Sequence, residues 1–314
     1  AWPTHTQQLA CNPAVVGREH RTEARRDDIE LRVVERQRLG VGFCLGYAEL
    51  ADNKHYNTQI LVERDGPIAT VVLNRPEKLN ALTRAMWQQL GDTIERSSAD
   101  DSLRCVIVRG AGEKSFSPGN DIAEFATQRS NKAQAIEYGK VMHRTADALT
   151  NCRHPLIAQI HGLCVGGGLE IAALCDLRIC GESSRFGAPI KNLGLVMAYA
   201  EMAPLVRLVG PSVALEILLE GRIFDAAEAK EKGLVTRVVP DDQVAAEARA
   251  SAERIADGAP LVARWHKKFA RRLMSGNPLT AAELDECFDC FDTEDFRIGY
   301  AAFLAKQKPK FVGK

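Results

Sequence analysis

The chain has 314 residues, 46% hydrophobic and 26% charged, enough for one large core or for one core plus a small helical unit. Lys+Arg and Asp+Glu both number 41, so the net charge is zero and no global attraction to nucleic acid or to an anionic membrane surface is expected. No run approaches the roughly 18 apolar residues of a membrane span.

Residues 1–57 differ from the rest. Arg18, Arg21, Arg25, Arg26, Arg32, Arg36 and Arg38 alternate with acidic residues, and no apolar stretch suits a secretory signal. The chain opens without Met, and this segment is read as a disordered extension, with a short helix near Asp28–Arg38.

Folded character begins near Gln59. Ile60–Arg64 and Ile68–Leu73 flank Asp65-Gly66 and predict a β-hairpin. Thr83 is placed to cap a helix over Thr83–Ser97, in which Met86, Leu90 and Ile94 share one face. Cys105–Arg109 reads as a buried strand, Lys132–Asn151 as a helix, and Leu156–Ile160 as a second buried strand.

Next comes His161-Gly162-Leu163-Cys164-Val165-Gly166-Gly167-Gly168-Leu169-Glu170, a glycine turn opening a helix. Glycines let the backbone approach a ligand, and the helix N-terminus offers unpaired N–H groups. A site for an oxygen gaining negative charge is one reading, with Glu170 as a nearby carboxylate. Packing of the turn, with Glu170 merely complementing the helix dipole, is the other.

Leu177–Cys180 and Ser184–Phe186 read as short strands, and Val213, Ala214, Ile217 and Leu218 mark an amphipathic helix. Asp225 with Glu228 signals a helix start, Gly233 its end, and Leu234–Val239 a strand stopped by Pro240. From Val244 the pattern is helical, broken at Gly258 and Gly276-Asn277-Pro278. Strands alternating with helices, then helices alone, predict an α/β fold with a helical C-terminal unit. A Rossmann domain is disfavoured, because Gly-x-Gly-x-x-Gly is absent from the first strand–helix turn.

Nine cysteines are scattered, several inside apolar runs where a reduced thiol packs as a small hydrophobe. Cys287-Phe288-Asp289-Cys290 is a lone CxxC, so no metal site is expected, and a reducing, cytoplasmic setting is.

Taken together, residues 58–314 resemble the crotonase, or enoyl-CoA hydratase/isomerase, superfamily. The resemblance rests on Leu73-Asn74-Arg75-Pro76 with Asn80-Ala81-Leu82, on Phe116-Ser117-Pro118-Gly119-Asn120-Asp121-Ile122, and on Gly166-Gly167-Gly168-Leu169-Glu170. Phe186-Gly187-Ala188-Pro189, Ala229–Val235 and Thr293–Gly299 continue it in the same order. It implies a crotonase-like spiral of repeated ββα units over 58–243 and a helical trimerisation region over 244–314, assembled as a homotrimer or homohexamer. It further implies an acyl-CoA substrate, with coenzyme A arriving as part of it and no permanently bound cofactor.

By motif position, the amides of Asn120 and Gly167 would form the oxyanion hole, and Glu170 would be catalytic. Asp121 would also cap the helix opening at Ile122. Lys78, Ala81, Ser117, Asp121, Ile122, Gly166 and Ile190 fall at substrate- or CoA-contacting positions, and Lys306, Lys308 and Lys310 are candidates for the CoA phosphates. The chain departs from the hydratase pattern at one decisive place: the second glutamate is Ile190. Ala123 also stands where some relatives carry Lys. Tyr199 and Glu201 are the candidates for replacement acid–base groups, with pocket lining and dipole complementation as their bland alternatives. The implied activity is enoyl-CoA hydration, with isomerase, decarboxylase, thioester hydrolase or non-catalytic acyl-CoA binding as alternatives.

Overall fold

A computed structural model describes residues 59–314; the N-terminal extension and the helix expected near Asp28–Arg38 lie outside the described residues. Strands β1 (Ile60–Asp65) and β2 (Ile68–Leu73) form the expected hairpin, with Asp65 paired to Ile68 and Gly66 at φ +56° in the two-residue loop. Helix α1 (Arg84–Ala99) begins at Thr83, whose hydroxyl accepts from the Met86 amide at 3.1 Å.

The chain then repeats one theme. Strands β3 (Cys105–Gly110) and β4 (Ser115–Ser117) lead to helices α2 (Phe125–Gln128) and α3 (Lys132–Asn151). Strands β5 (Leu156–Ile160) and β6 (Leu163–Val165) lead to α4 (Gly167–Leu174), and β7 (Leu177–Gly181) and β8 (Arg185–Gly187) to α5 (Tyr199–Glu220). The first strand of each pair joins a six-stranded sheet, where β3, β5 and β7 are parallel neighbours. The second joins a smaller sheet, where β4, β6 and β8 are parallel neighbours and β9 (Phe224–Asp225) pairs antiparallel with β8. Each ββα unit is thus one turn of a spiral.

Side chains alternate across a strand, so the large sheet feeds two cores. Val106, Val108, Leu156, Ala158 and Ile160 enter the main core. Cys105, Ile107, Ile157 and Ile179 face the other way, against Ala248, Ala252 and Ala256 of α7 (Val244–Ala256). Burial on both faces is why these strands read as unbroken apolar runs. Cys105, Cys152, Cys164, Cys175 and Cys180 are buried free thiols.

The α6 helix (Ala226–Glu231) starts at Asp225, which accepts from the Glu228 amide at 2.9 Å, and Gly233 follows it at φ +74°. The strand expected over Leu234–Val239 is shorter. Leu234 and Val235 turn back to pack in the main core, the Leu234 amide donates to Ala229 at 2.9 Å, and only Arg237–Val239 (β10) joins the sheet. The α5 helix is apolar enough to cross a membrane by length and composition, but it breaks at Gly210 (φ 76°, ψ 165°) before Pro211 and sends Leu205, Ala214 and Ile217 into the core. Past β10 every regular element is helical, including α8 (Pro260–Leu273), α9 (Ala281–Glu286) and α10 (Glu294–Leu304).

Candidate active site

Two glycine turns, far apart in sequence, meet at the ends of β4 and β6. Gly119 has φ +95°, and a Cβ there would lie 2.6 Å from the Gly167 nitrogen. Only glycine allows this approach. A Cβ on Gly168 would collide with the Ser117 carbonyl, so the second turn is seated on the first.

Both peptide planes are fixed. The Gly119 carbonyl accepts from the Leu82 amide at 2.8 Å, and a trans peptide therefore aims the Asn120 N–H the opposite way. The Gly166 carbonyl accepts from the Glu170 amide at 3.0 Å, the first hydrogen bond of α4, which directs the Gly167 N–H away from the helix. Among the described residues neither the Asn120 nor the Gly167 amide has an acceptor. Two adjacent unsatisfied donors, one at a helix N-terminus, are suited to an oxyanion.

Glu170 lies in the first turn of α4 and is only 4% exposed. Its Oε1 has no hydrogen-bond partner among the described residues, an expensive arrangement for a buried carboxyl. Burial, with the charge of Glu201 added, pushes its carboxyl well above the usual carboxylate range, and Arg129 pulls more weakly the other way. Glu201 comes from the start of α5, where its Oε2 accepts from the Ala198 amide at 3.2 Å. Its Oε1 lies 3.7 Å from Nε2 of His143 on α3. Three helices therefore deliver two carboxyls and an imidazole to one locality.

A model of the family described as enoyl-CoA hydratase/isomerase matches residues 63–314. The chain belongs to that family. It is 32% identical to the crotonyl-CoA hydratase of Syntrophomonas wolfei over 257 residues, 81% of this chain and 98% of the relative. It is 34% identical to the short-chain-enoyl-CoA hydratase of Clostridium acetobutylicum over 251 residues, 79% of this chain and 95% of the relative. Among solved structures, an enoyl-CoA hydratase/carnithine racemase from Magnetospirillum magneticum is 53% identical with a TM-score of 0.80, covering 82% of this chain and 96% of that one. Enoyl-CoA hydratase from Bacillus anthracis is 30% identical with a TM-score of 0.75, covering 82% and 100%.

The other residues singled out by the family pattern are placed unevenly. Ser117 is 0% exposed, and its hydroxyl is spent on the Asn80 carbonyl (2.9 Å) and the Gly119 amide (3.1 Å). It shapes the first turn instead of offering a surface contact. Asp121 caps the turn opening at Ile122, accepting from the Ala123 amide at 3.0 Å. It also pairs with Arg75 at 2.7 Å, and that guanidinium holds its carboxyl below the usual range. Arg75 donates to the Ala81 carbonyl as well, and Lys78 lies near enough for its charge to act on Asp121. Lys78, Ala81, Asp121 and Ile122 thus form one rim beside the Asn120 amide.

Ile190 is half-buried against the main core, and its hydrocarbon side chain has no ionisable group. Gly166 holds φ +53° at the second turn. Tyr199 is 96% exposed, whereas Glu201 is largely buried and its charge acts on the Glu170 carboxyl. Lys308 pairs with Asp257 at 2.7 Å, and neither Lys306 nor Lys310 has a hydrogen bond to the glycine turns. Sequence reasoning passed over His143, which carries no local motif and reaches Glu201 only through the packing of α3 on α5.

Proposed function

We propose that the protein hydrates a 2-enoyl-CoA to a 3-hydroxyacyl-CoA, with Glu170 and Glu201 as its two proton-handling groups. The observation that carries this reading is the buried, unpartnered Glu170 carboxyl held beside Glu201. Glu201 supplies from α5 the carboxylate that Ile190 cannot provide.

Burial, with the Glu201 charge added, favours the protonated form of the Glu170 carboxyl. Glu201, near His143 and capped by the Ala198 amide, then serves as the base. As water adds to Cβ its proton passes to Glu201, and the C=C π electrons move toward the thioester oxygen. The Asn120 and Gly167 amides stabilise that enolate. Glu170 then delivers its proton to Cα, so the elements of one water are added. Glu201 leaves the cycle protonated, and its proton returns to Glu170 directly or by exchange through solvent, which restores both groups.

Coenzyme A enters as part of the substrate, with Lys78 on the rim beside Asp121 as one contact for it. The same proposal includes assembly as a homotrimer or homohexamer through the helical region 244–314, supported by exposed Phe288, Phe291, Tyr300 and Phe303. It also includes a spiral core over 58–243 and a reducing, cytoplasmic setting, the latter supported by the buried free thiols.

The test is direct. The purified chain is offered 2-enoyl-CoAs of increasing length, and products gaining one water are sought by mass spectrometry. Tight acyl-CoA binding with no hydration of any member would reject the reading.

A further inference from the structure

One side chain touches both glycine turns. Trp87 of α1 is 0% exposed, and its indole Nε1 donates to Asn120 Oδ1 at 2.6 Å. Its Cζ2 lies 3.0 Å from where a Cβ on Gly167 would stand. The ring is therefore wedged between the two residues whose amides converge.

Its own position is well determined. The Trp87 carbonyl accepts from the Thr145 hydroxyl of α3 at 2.7 Å. One turn later α1 and α3 approach so closely that a Cβ on Gly91 would lie 3.0 Å from the same Thr145 oxygen. The indole is held by two packed helices, not by the loops it supports.

The Leu82 and Glu170 hydrogen bonds fix the tilt of each peptide plane, but neither links one turn to the other. Trp87 adds a side-chain link to the direct backbone contact of the two turns. Its bicyclic ring reaches a residue of each turn and carries a single donor that must find a partner when buried. Phenylalanine would keep much of the packing and lose the donor. Asn120 matters here through its side chain, which ties its turn to the indole while its amide faces the substrate.

We propose that Trp87 is a positioning residue that sets the spacing of the Asn120 and Gly167 amides through its hydrogen bond to Asn120 and its contact with Gly167. The proposal rests on the oxyanion hole assigned above and extends it to a residue that never meets the substrate.

The test uses the full chain and a 2-enoyl-CoA bearing an electron-donating aryl group, whose absorption moves to longer wavelength as its carbonyl is polarised. The wild-type protein should produce a red shift, and Trp87→Phe and Asn120→Ala should each reduce it. Losing one well-made hydrogen bond should lower kcat for crotonyl-CoA about tenfold, with KM little changed. The double variant should be no worse than the weaker single, because both remove the same link.

A folded Trp87→Phe protein with wild-type shift and kcat would overturn the proposal. If Trp87→Phe does not fold, Asn120→Ala decides, and an unchanged shift there overturns it equally. A wild-type protein that binds the probe with no red shift would instead contradict the oxyanion hole itself.

Discussion

Replacing Glu201 by Gln separates chemistry from folding. Gln keeps an oxygen that can accept from the Ala198 amide, now 3.2 Å away, so the start of α5 stays capped. What is lost is a 3.7 Å pairing with His143, which is itself more than a third exposed. Such a pair contributes less than about 1 kcal/mol, so the melting temperature should move by only a few degrees. The chemical step loses its base. General base catalysis accounts for about 10²–10⁴ in rate, roughly 3–5 kcal/mol of barrier. Hydration of crotonyl-CoA, followed by the fading ultraviolet absorbance of the conjugated double bond, should show that fall in kcat with little change in KM. A Glu201→Gln enzyme within threefold of wild type would remove Glu201 from the mechanism and leave Glu170 without a partner.

Glu170→Gln should nearly abolish turnover while stabilising the fold. A buried carboxyl whose pKa lies above its unfolded value costs stability as pH rises from about 4.5 through the folded pKa. The gain in melting temperature should therefore be larger at pH 8 than at pH 5; an equal gain at both would argue against the burial effect. His154 behaves oppositely. It is 0% exposed, its Nε2 donates to the Asp100 carbonyl at 3.0 Å, and burial, with Arg264, Arg153 and Lys267 nearby, pushes it down to about 4. Its contribution is complete above pH 6.5 and is lost between 6.5 and about 4, on the order of 3 kcal/mol in all. His154→Gln should flatten that acid limb in urea titrations at stepped pH. Gly119→Ala should cost both stability and about 10²–10³ in kcat, since the new Cβ presses on the Gly167 nitrogen at a positive φ. A well-folded, fully active Gly119→Ala enzyme would refute the close approach of the two turns.

Local signals were legible wherever one short segment determines its own geometry. Thr83, Asp121 and Asp225 cap helices as their side chains suggest, and the buried strands at 105–110 and 156–160 announce themselves by burial on both faces. The spiral was not visible as a repeat. Its units share a path and not a sequence, and their helices differ too much in length for any fixed period to survive.

The glycine turns and Glu170 stood out because their chemistry is local, but nothing in the chain near Gly119 says that Gly167 will lie against it. The position of Glu201 was open for a similar reason. Helix-start glutamates complement dipoles everywhere, and only the packing of α4, α5 and α3 turns this one toward Glu170 and His143. Ser117 shows the reverse case, a motif residue whose hydroxyl is absorbed internally.

The most direct test of the mechanism is a crystal structure of the protein with a bound unreactive acyl-CoA. The account predicts the thioester oxygen about 3 Å from both the Asn120 and Gly167 nitrogens, with Cα and Cβ between Glu170 and Glu201. An oxygen bound away from those two amides, or Cα and Cβ out of reach of both carboxyls, would contradict it.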